Sequence, residues 1–114
     1  ENAFMAGWIK IEKTENRKEI EKFAPEIDIG EIAVINLALK LKPDLILMDD
    51  ASARTIAESF GFNVKGTLYV LLSAYKKRMI EKSEVKELVN SLVFLGFRIS
   101  QELYIRLMSE IDEN

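Results

Sequence analysis

Two short stretches of this chain carry acids at a spacing that suits divalent-metal chemistry. The first is Asp28-Ile29-Gly30-Glu31-Ile32-Ala33, and the second is Leu45-Ile46-Leu47-Met48-Asp49-Asp50-Ala51-Ser52-Ala53-Arg54. Asp28 followed three residues later by Glu31 is a capping pattern, so Glu31 belongs in the first turn of a helix. Asp49 and Asp50 follow a short apolar run and precede a second helical pattern. Three carboxylates at element ends, Glu31, Asp49 and Asp50, can share one metal ion. Oxygen-only ligation without His or Cys selects Mg2+ or Mn2+ rather than zinc.

The elements that must position these acids are legible from periodicity. Ile32, Ile35, Ala38 and Leu39 give a helical stripe from Gly30 to Leu41, and Pro43 stops it. Leu45 to Met48 is an unbroken apolar run, which predicts a strand covered on both faces of a parallel sheet. Asp49 and Asp50 then stand just past its carboxyl end. In open α/β sheets ligands bind in the crevice outside those ends. A structural alternative stands beside this one: Asp28 and Glu31 stabilise a helix N-terminus by capping alone, and Asp49 or Asp50 can do the same for the helix from Ala51 to Phe60. Arg54, four residues after Asp50, is also placed for an ordinary helical ion pair.

Composition narrows the chemistry further. A length of 114 residues with 48% hydrophobic content is the size of one domain with a modest core, so residues 1–114 read as a single domain. Cys and His are both absent, which removes disulfides, thiol nucleophiles, Ser-His-Asp hydrolysis and His-based zinc sites together. A reducing, cytoplasmic setting is the expectation. The apolar runs are too short for a membrane span. A net charge of −3 argues against binding nucleic acid through bulk charge. A local basic strip remains, with Lys76-Lys77-Arg78 at a helix end and Lys65 nearby, although cations favour a helix C-terminus without any ligand.

The rest of the chain alternates strand and helix. Trp8-Ile9-Lys10-Ile11-Glu12-Lys13 alternates like a strand, and Glu15 to Phe23 reads as a polar helix ending before Pro25. Gly61 stops the helix from Ala51, Phe62 to Lys65 forms another short strand, and Gly66-Thr67 opens a helix running to about Met79. Ser83 is expected to cap the next helix, through Leu95 to Gly96, and Ser100 to begin a last amphipathic helix with Leu103, Tyr104, Leu107, Met108 and Ile111. This order predicts right-handed crossovers and a parallel sheet. Trp8 and Tyr69 can stack on bases, with core packing as the simpler role.

The runs from Asp28 to Ala38, Leu45 to Ala57 and Gly61 to Leu68 together resemble the PIN-domain superfamily, and within it a prokaryotic branch predicted to bind nucleic acid. The resemblance covers roughly Gly7 to Met108. It implies a three-layer α/β/α fold with a parallel sheet and acids at its carboxyl edge. It also implies Mg2+ or Mn2+ as cofactor and cleavage of single-stranded RNA, in many members as the toxin of a toxin-antitoxin pair. Carried over by position, Glu31 is the acid on the middle helix and Asp50 the acid after the following strand, with Asp49 as the neighbouring choice. Thr67 is implied near the same cluster, and Arg54, Lys76 and Lys77 are candidates for nucleic-acid contact. The family's first strand, with its acid, has no counterpart here, so the expectation is a domain incomplete at its N-terminus. The expected function is that of a metal-dependent ribonuclease with an antitoxin-type protein or a second copy as partner. The alternative is a catalytically silent binding module whose last helix makes the partner contact.

Overall fold

A computed structural model describes residues 6–14, 18–23 and 26–113. In chain order the elements are α1 (Lys18–Glu21), α2 (Ile29–Leu41), β1 (Ile46–Leu47), α3 (Ala51–Ser59), β2 (Val64–Lys65), α4 (Thr67–Lys76), α5 (Lys82–Phe94) and α6 (Gln101–Asp112). They fall into two compact units, Glu1–Lys65 and Gly66–Asn114.

The first unit is mixed α/β. Its β1 and β2 pair in parallel with Ile46 opposite Val64 and Leu47 opposite Lys65, so the expected parallel sheet is present with two described strands. α2 is apolar almost all round, a composition that calls for cover on more than one side. It stops where Lys42 adopts a left-handed conformation (φ 50°) and donates its N–H to the Ala38 carbonyl at 2.7 Å, directly before Pro43. Ile32, Ile35 and Ala38 of α2 pack with Ile20, Ile27, Ile46, Met48, Ala53, Ala57 and Val64. Phe23 meets Phe60 edge to face with ring centroids 6.4 Å apart, closing one side of this core.

Two expectations for this unit need correction. Trp8 to Lys13 forms no strand; the segment is exposed and Trp8 itself is 74% accessible. Alternation supplies a face for a strand but no partner, and no neighbouring edge is paired to it. Nor is β1 covered on both faces: Ile46 and Met48 are buried whereas Leu47 is 56% exposed. A two-stranded sheet has a core on one side only, so the alternate residue faces out. The helix expected from Glu15 to Phe23 is described only as α1, and Glu15 and Pro25 lie outside the described residues.

The second unit is helical. Val85 and Val89 of α5 pack against Leu107 and Ile111 of α6, with Leu68, Leu71, Leu72 and Tyr75 of α4 against the same core. α4 stops at Lys76, short of Met79, because Arg78 takes a left-handed conformation (φ 61°) just beyond the end. α5 is capped two residues earlier than expected: Glu81, not Ser83, precedes it, and Glu81 donates its N–H to the Glu84 carboxylate at 3.0 Å. Ser100 caps α6 as anticipated, its Oγ accepting the Leu103 N–H at 3.1 Å. Gly96 turns the chain between α5 and α6 with φ 101°, a conformation that favours glycine.

Candidate active site

Each acid singled out by sequence sits where an element of the first unit ends or begins. Asp28 is the extended residue before α2, and its carbonyl accepts the Ile32 N–H at 3.0 Å while its side chain makes no capping bond. Glu31, half-buried in the first turn of α2, has no hydrogen bond or ion pair among the described residues. Met48 closes the sheet by donating its N–H to the Lys65 carbonyl at 2.8 Å, and Asp49 and Asp50 follow it, both exposed. Asp50 is the N-cap of α3: its Oδ2 accepts the Ala53 N–H at 2.9 Å. The capping role is therefore real for Asp50. It occupies one carboxylate oxygen, and an ionised carboxylate retains acceptor capacity on the other.

Among the described residues no three Asp, Glu, His or Cys side chains gather so as to hold a metal ion. Glu31, Asp49 and Asp50 thus do not form the three-acid cluster that their spacing suggested. Helix and strand ends fix where backbones emerge, not how side chains converge. A pair of carboxylates is still a donor set that suits magnesium, which keeps several waters and takes one or two protein carboxylates.

The remaining candidates are dispersed. Arg54, half-buried in the first unit, makes no ion pair with Asp50; its N–H donates to the Asp50 carbonyl at 2.9 Å within the helix. Thr67 is the first residue of α4, after Gly66 as N-cap. Lys76 is ion-paired to Glu110 at 2.9 Å, and Lys82 donates to the Asp112 carbonyl at 3.3 Å. Lys77 and Arg78 are exposed beside a groove of about 710 Å³ lined by Tyr75, Lys76, Arg78, Ile80, Glu81 and Lys82. One cation of the basic strip, Lys76, is therefore paired with an acid near the end of α6, Glu110. Sequence reading passed over Asn36, a polar side chain only 2% exposed in the core face of α2. Its signal was available: an amide amid Ile32, Ile35, Ala38 and Leu39 stands out in an apolar stripe.

A family model described as a PIN domain matches residues 1–113. The chain belongs to the PIN-domain family. The parallel strand pair agrees with a mixed α/β fold of that family. No curated protein and no solved structure matches the chain. No described helix is long and apolar enough to cross a membrane.

Proposed function

We propose that this PIN domain is a metal-dependent endoribonuclease module acting on single-stranded RNA, with Glu31 and Asp50 as its acids. The observation that carries the reading is the exposed pair Asp49-Asp50 directly after the carboxyl end of β1 in a chain of nuclease-type family. Glu31 is assigned to the same site on the course of α2 beside β1. Val34, Leu37 and Leu41 of α2 share a groove with Leu45 and Leu47, so the helix lies back along the strand. A helix rises about 1.5 Å per residue and an extended chain about 3.3 Å. In that arrangement Glu31, near the start of α2, would stand toward the same end of the unit as Asp50.

Glu31 and Asp50 would hold Mg2+ or Mn2+ between them, largely through its waters, with Asp49 as the alternate ligand. A bound ion of this kind polarises a phosphodiester and lowers the pKa of a water for attack. The cap to Ala53 fixes the Asp50 carboxylate relative to α3 through Oδ2, and Oδ1 would be the oxygen that meets the ion. Arg54, in the same unit as these acids, would contact backbone phosphate. An antitoxin-type protein would be the regulatory partner.

A specific observation favours a second reading. The absence of a three-acid cluster among the described residues, together with the Asp50 cap, suits a silent RNA-binding or assembly module. Thermal melts with and without manganese separate the two, because a ligand that binds only the native state must raise its stability. The nuclease reading expects a manganese-dependent rise in Tm that Asp50→Asn and Glu31→Gln abolish, with cleavage of single-stranded RNA lost in parallel. No stabilisation and no cleavage selects the silent module.

A further inference from the structure

We propose that the turn between α4 and α5 is a phosphate-binding site for single-stranded RNA, with the Arg78 guanidinium as its ligand. The inference rests on the RNA-binding part of the proposed function and not on its metal chemistry.

The backbone gives the first indication. α3, α4 and α5 end in the same hydrogen-bonded turn, in which one residue is left-handed and two N–H groups reach back to the last helical carbonyls. After α3 the left-handed residue is Gly61 (φ 89°), with bonds from Gly61 to Glu58 at 2.9 Å and from Phe62 to Ala57 at 3.3 Å. After α5 it is Gly96 (φ 101°), with bonds from Gly96 to Val93 at 3.0 Å and from Phe97 to Leu92 at 2.8 Å. After α4 the two bonds run from Arg78 to Tyr75 and from Met79 to Ala74, both at 2.9 Å, and the left-handed residue is Arg78 (φ 61°). Glycine takes this conformation freely, whereas a Cβ is crowded in it. The helix dipole does not call for Arg78 either, because Lys76 and Lys77 already stand at that helix end. The turn therefore keeps an arginine against its own stability, and strain of that kind gathers at ligand sites.

The side chains give the second. Arg78 is exposed and lines the groove of about 710 Å³ together with Tyr75, Ile80, two further cations and one acid, Glu81. Both further cations are engaged within the helical unit: Lys76 pairs with Glu110, and Lys82 donates to the Asp112 carbonyl. The side chains of Lys77 and Arg78 make no hydrogen bond or ion pair among the described residues. Uncommitted positive charge is thus concentrated at the turn itself. A guanidinium fork meets two oxygens of one phosphate at once, which suits Arg78 to a phosphodiester. A chain of net charge −3 has to hold a single strand at local points of this kind rather than through bulk charge.

The test pairs fluorescence anisotropy on a labelled single-stranded RNA, over a range of salt and with a chelator to prevent cleavage, with thermal melts of the same proteins. Arg78→Gly is expected to move the two readouts in opposite directions. Its Tm should rise by about 2–4 °C as the left-handed strain is relieved. Its affinity should fall about three- to tenfold at low salt, and the slope of log affinity against log salt should drop by about 0.7, the share of one phosphate on a single strand. Lys42→Gly relieves the other left-handed basic residue, after α2, and is expected to keep wild-type affinity. Wild-type affinity and slope in Arg78→Gly overturn the proposal while leaving the RNA reading in place. A loss of affinity without the rise in Tm overturns it in favour of a structural Arg78, and an equal loss in Lys42→Gly overturns it in favour of diffuse charge. Wild type that binds no RNA overturns it together with the reading on which it rests.

Discussion

The two units of this protein use polar side chains for different ends. In the helical unit, long polar side chains tie one helix to another: the Tyr75 hydroxyl donates to the Ile111 carbonyl at 3.1 Å, Tyr104 to Asn90 at 2.6 Å, and Lys76 pairs with Glu110 at 2.9 Å. In the sheet unit, Asp50 serves only its own helix end, and Glu31 stands half-buried with no hydrogen bond or ion pair among the described residues. Cross-helix bonds raise stability and fix geometry. A carboxylate held locally at a strand end retains capacity for a ligand. Polar side chains thus bridge helices in Gly66–Asn114, whereas the Asp50 carboxylate caps a single helix of the first unit.

The largest effects should come where the units are alike, in their aliphatic cores. Ile35 and Ile111 are both 0% exposed. Replacing either with Ala should cost about 2–5 kcal/mol through lost burial and a residual cavity. Urea titration followed by circular dichroism measures this; a loss well below 1 kcal/mol at one site would mean that its core collapses around the gap.

The next effect sharpens the contrast at Asp50. Asn is as good an N-cap as Asp, so Asp50→Asn should leave stability nearly unchanged, whereas Asp50→Ala should lose about 1 kcal/mol. Any metal-dependent cleavage should fall by orders of magnitude in both. Activity retained in Asp50→Asn would return Asp50 to a purely structural role and dissolve the distinction between the units.

In the helical unit, Tyr75→Phe removes the bond to Ile111 and leaves an acceptor with one partner fewer. A loss of about 1 kcal/mol is expected, with no change in RNA or metal binding. A change in binding without a change in stability would reverse the assignment of this bond as structural.

The smallest effect is electrostatic. A hydrogen bond from Lys86 holds the Asp112 carboxyl below the usual carboxylate range, with the Lys86 and Lys82 charges adding to it against desolvation. Because the folded-state pKa is depressed, its stabilisation is present above the unfolded value, roughly 3.9, and is lost as pH falls through the folded value. Lys86→Met should flatten that acid-side part of the stability profile and leave the neutral region almost unaltered. Melts between neutral pH and the acid limit of solubility measure it.

How much of this was legible beforehand differs by kind of information. α2, α3 and α6 were readable to within a residue or two because their signals are local: Pro43 after Leu41, Gly61 after Phe60, Ser100 before Gln101. The parallel pairing of β1 with β2 followed from the order of elements. The strand expected at Trp8 to Lys13 was misjudged because alternation is necessary for a strand but only a paired neighbour makes one. The pairing of Lys76, a candidate nucleic-acid contact, with Glu110 was not legible because the two residues are distant in sequence.

What the sequence by itself determined is therefore most of the helices, the ends of α2, α3 and α6, the parallel order of the strands and the family, all of which rest on contacts within a few residues or on linked motifs. Only the tertiary structure decided that Leu47 faces outward, that Lys76 of α4 and Lys86 of α5 meet Glu110 and Asp112 of α6, and that among the described residues the three acids do not close into one cluster. The physical reason is range. A cap or a stop is fixed by the energetics of one helical turn, whereas burial, ion pairing and ligand convergence depend on which distant side chains the fold brings near.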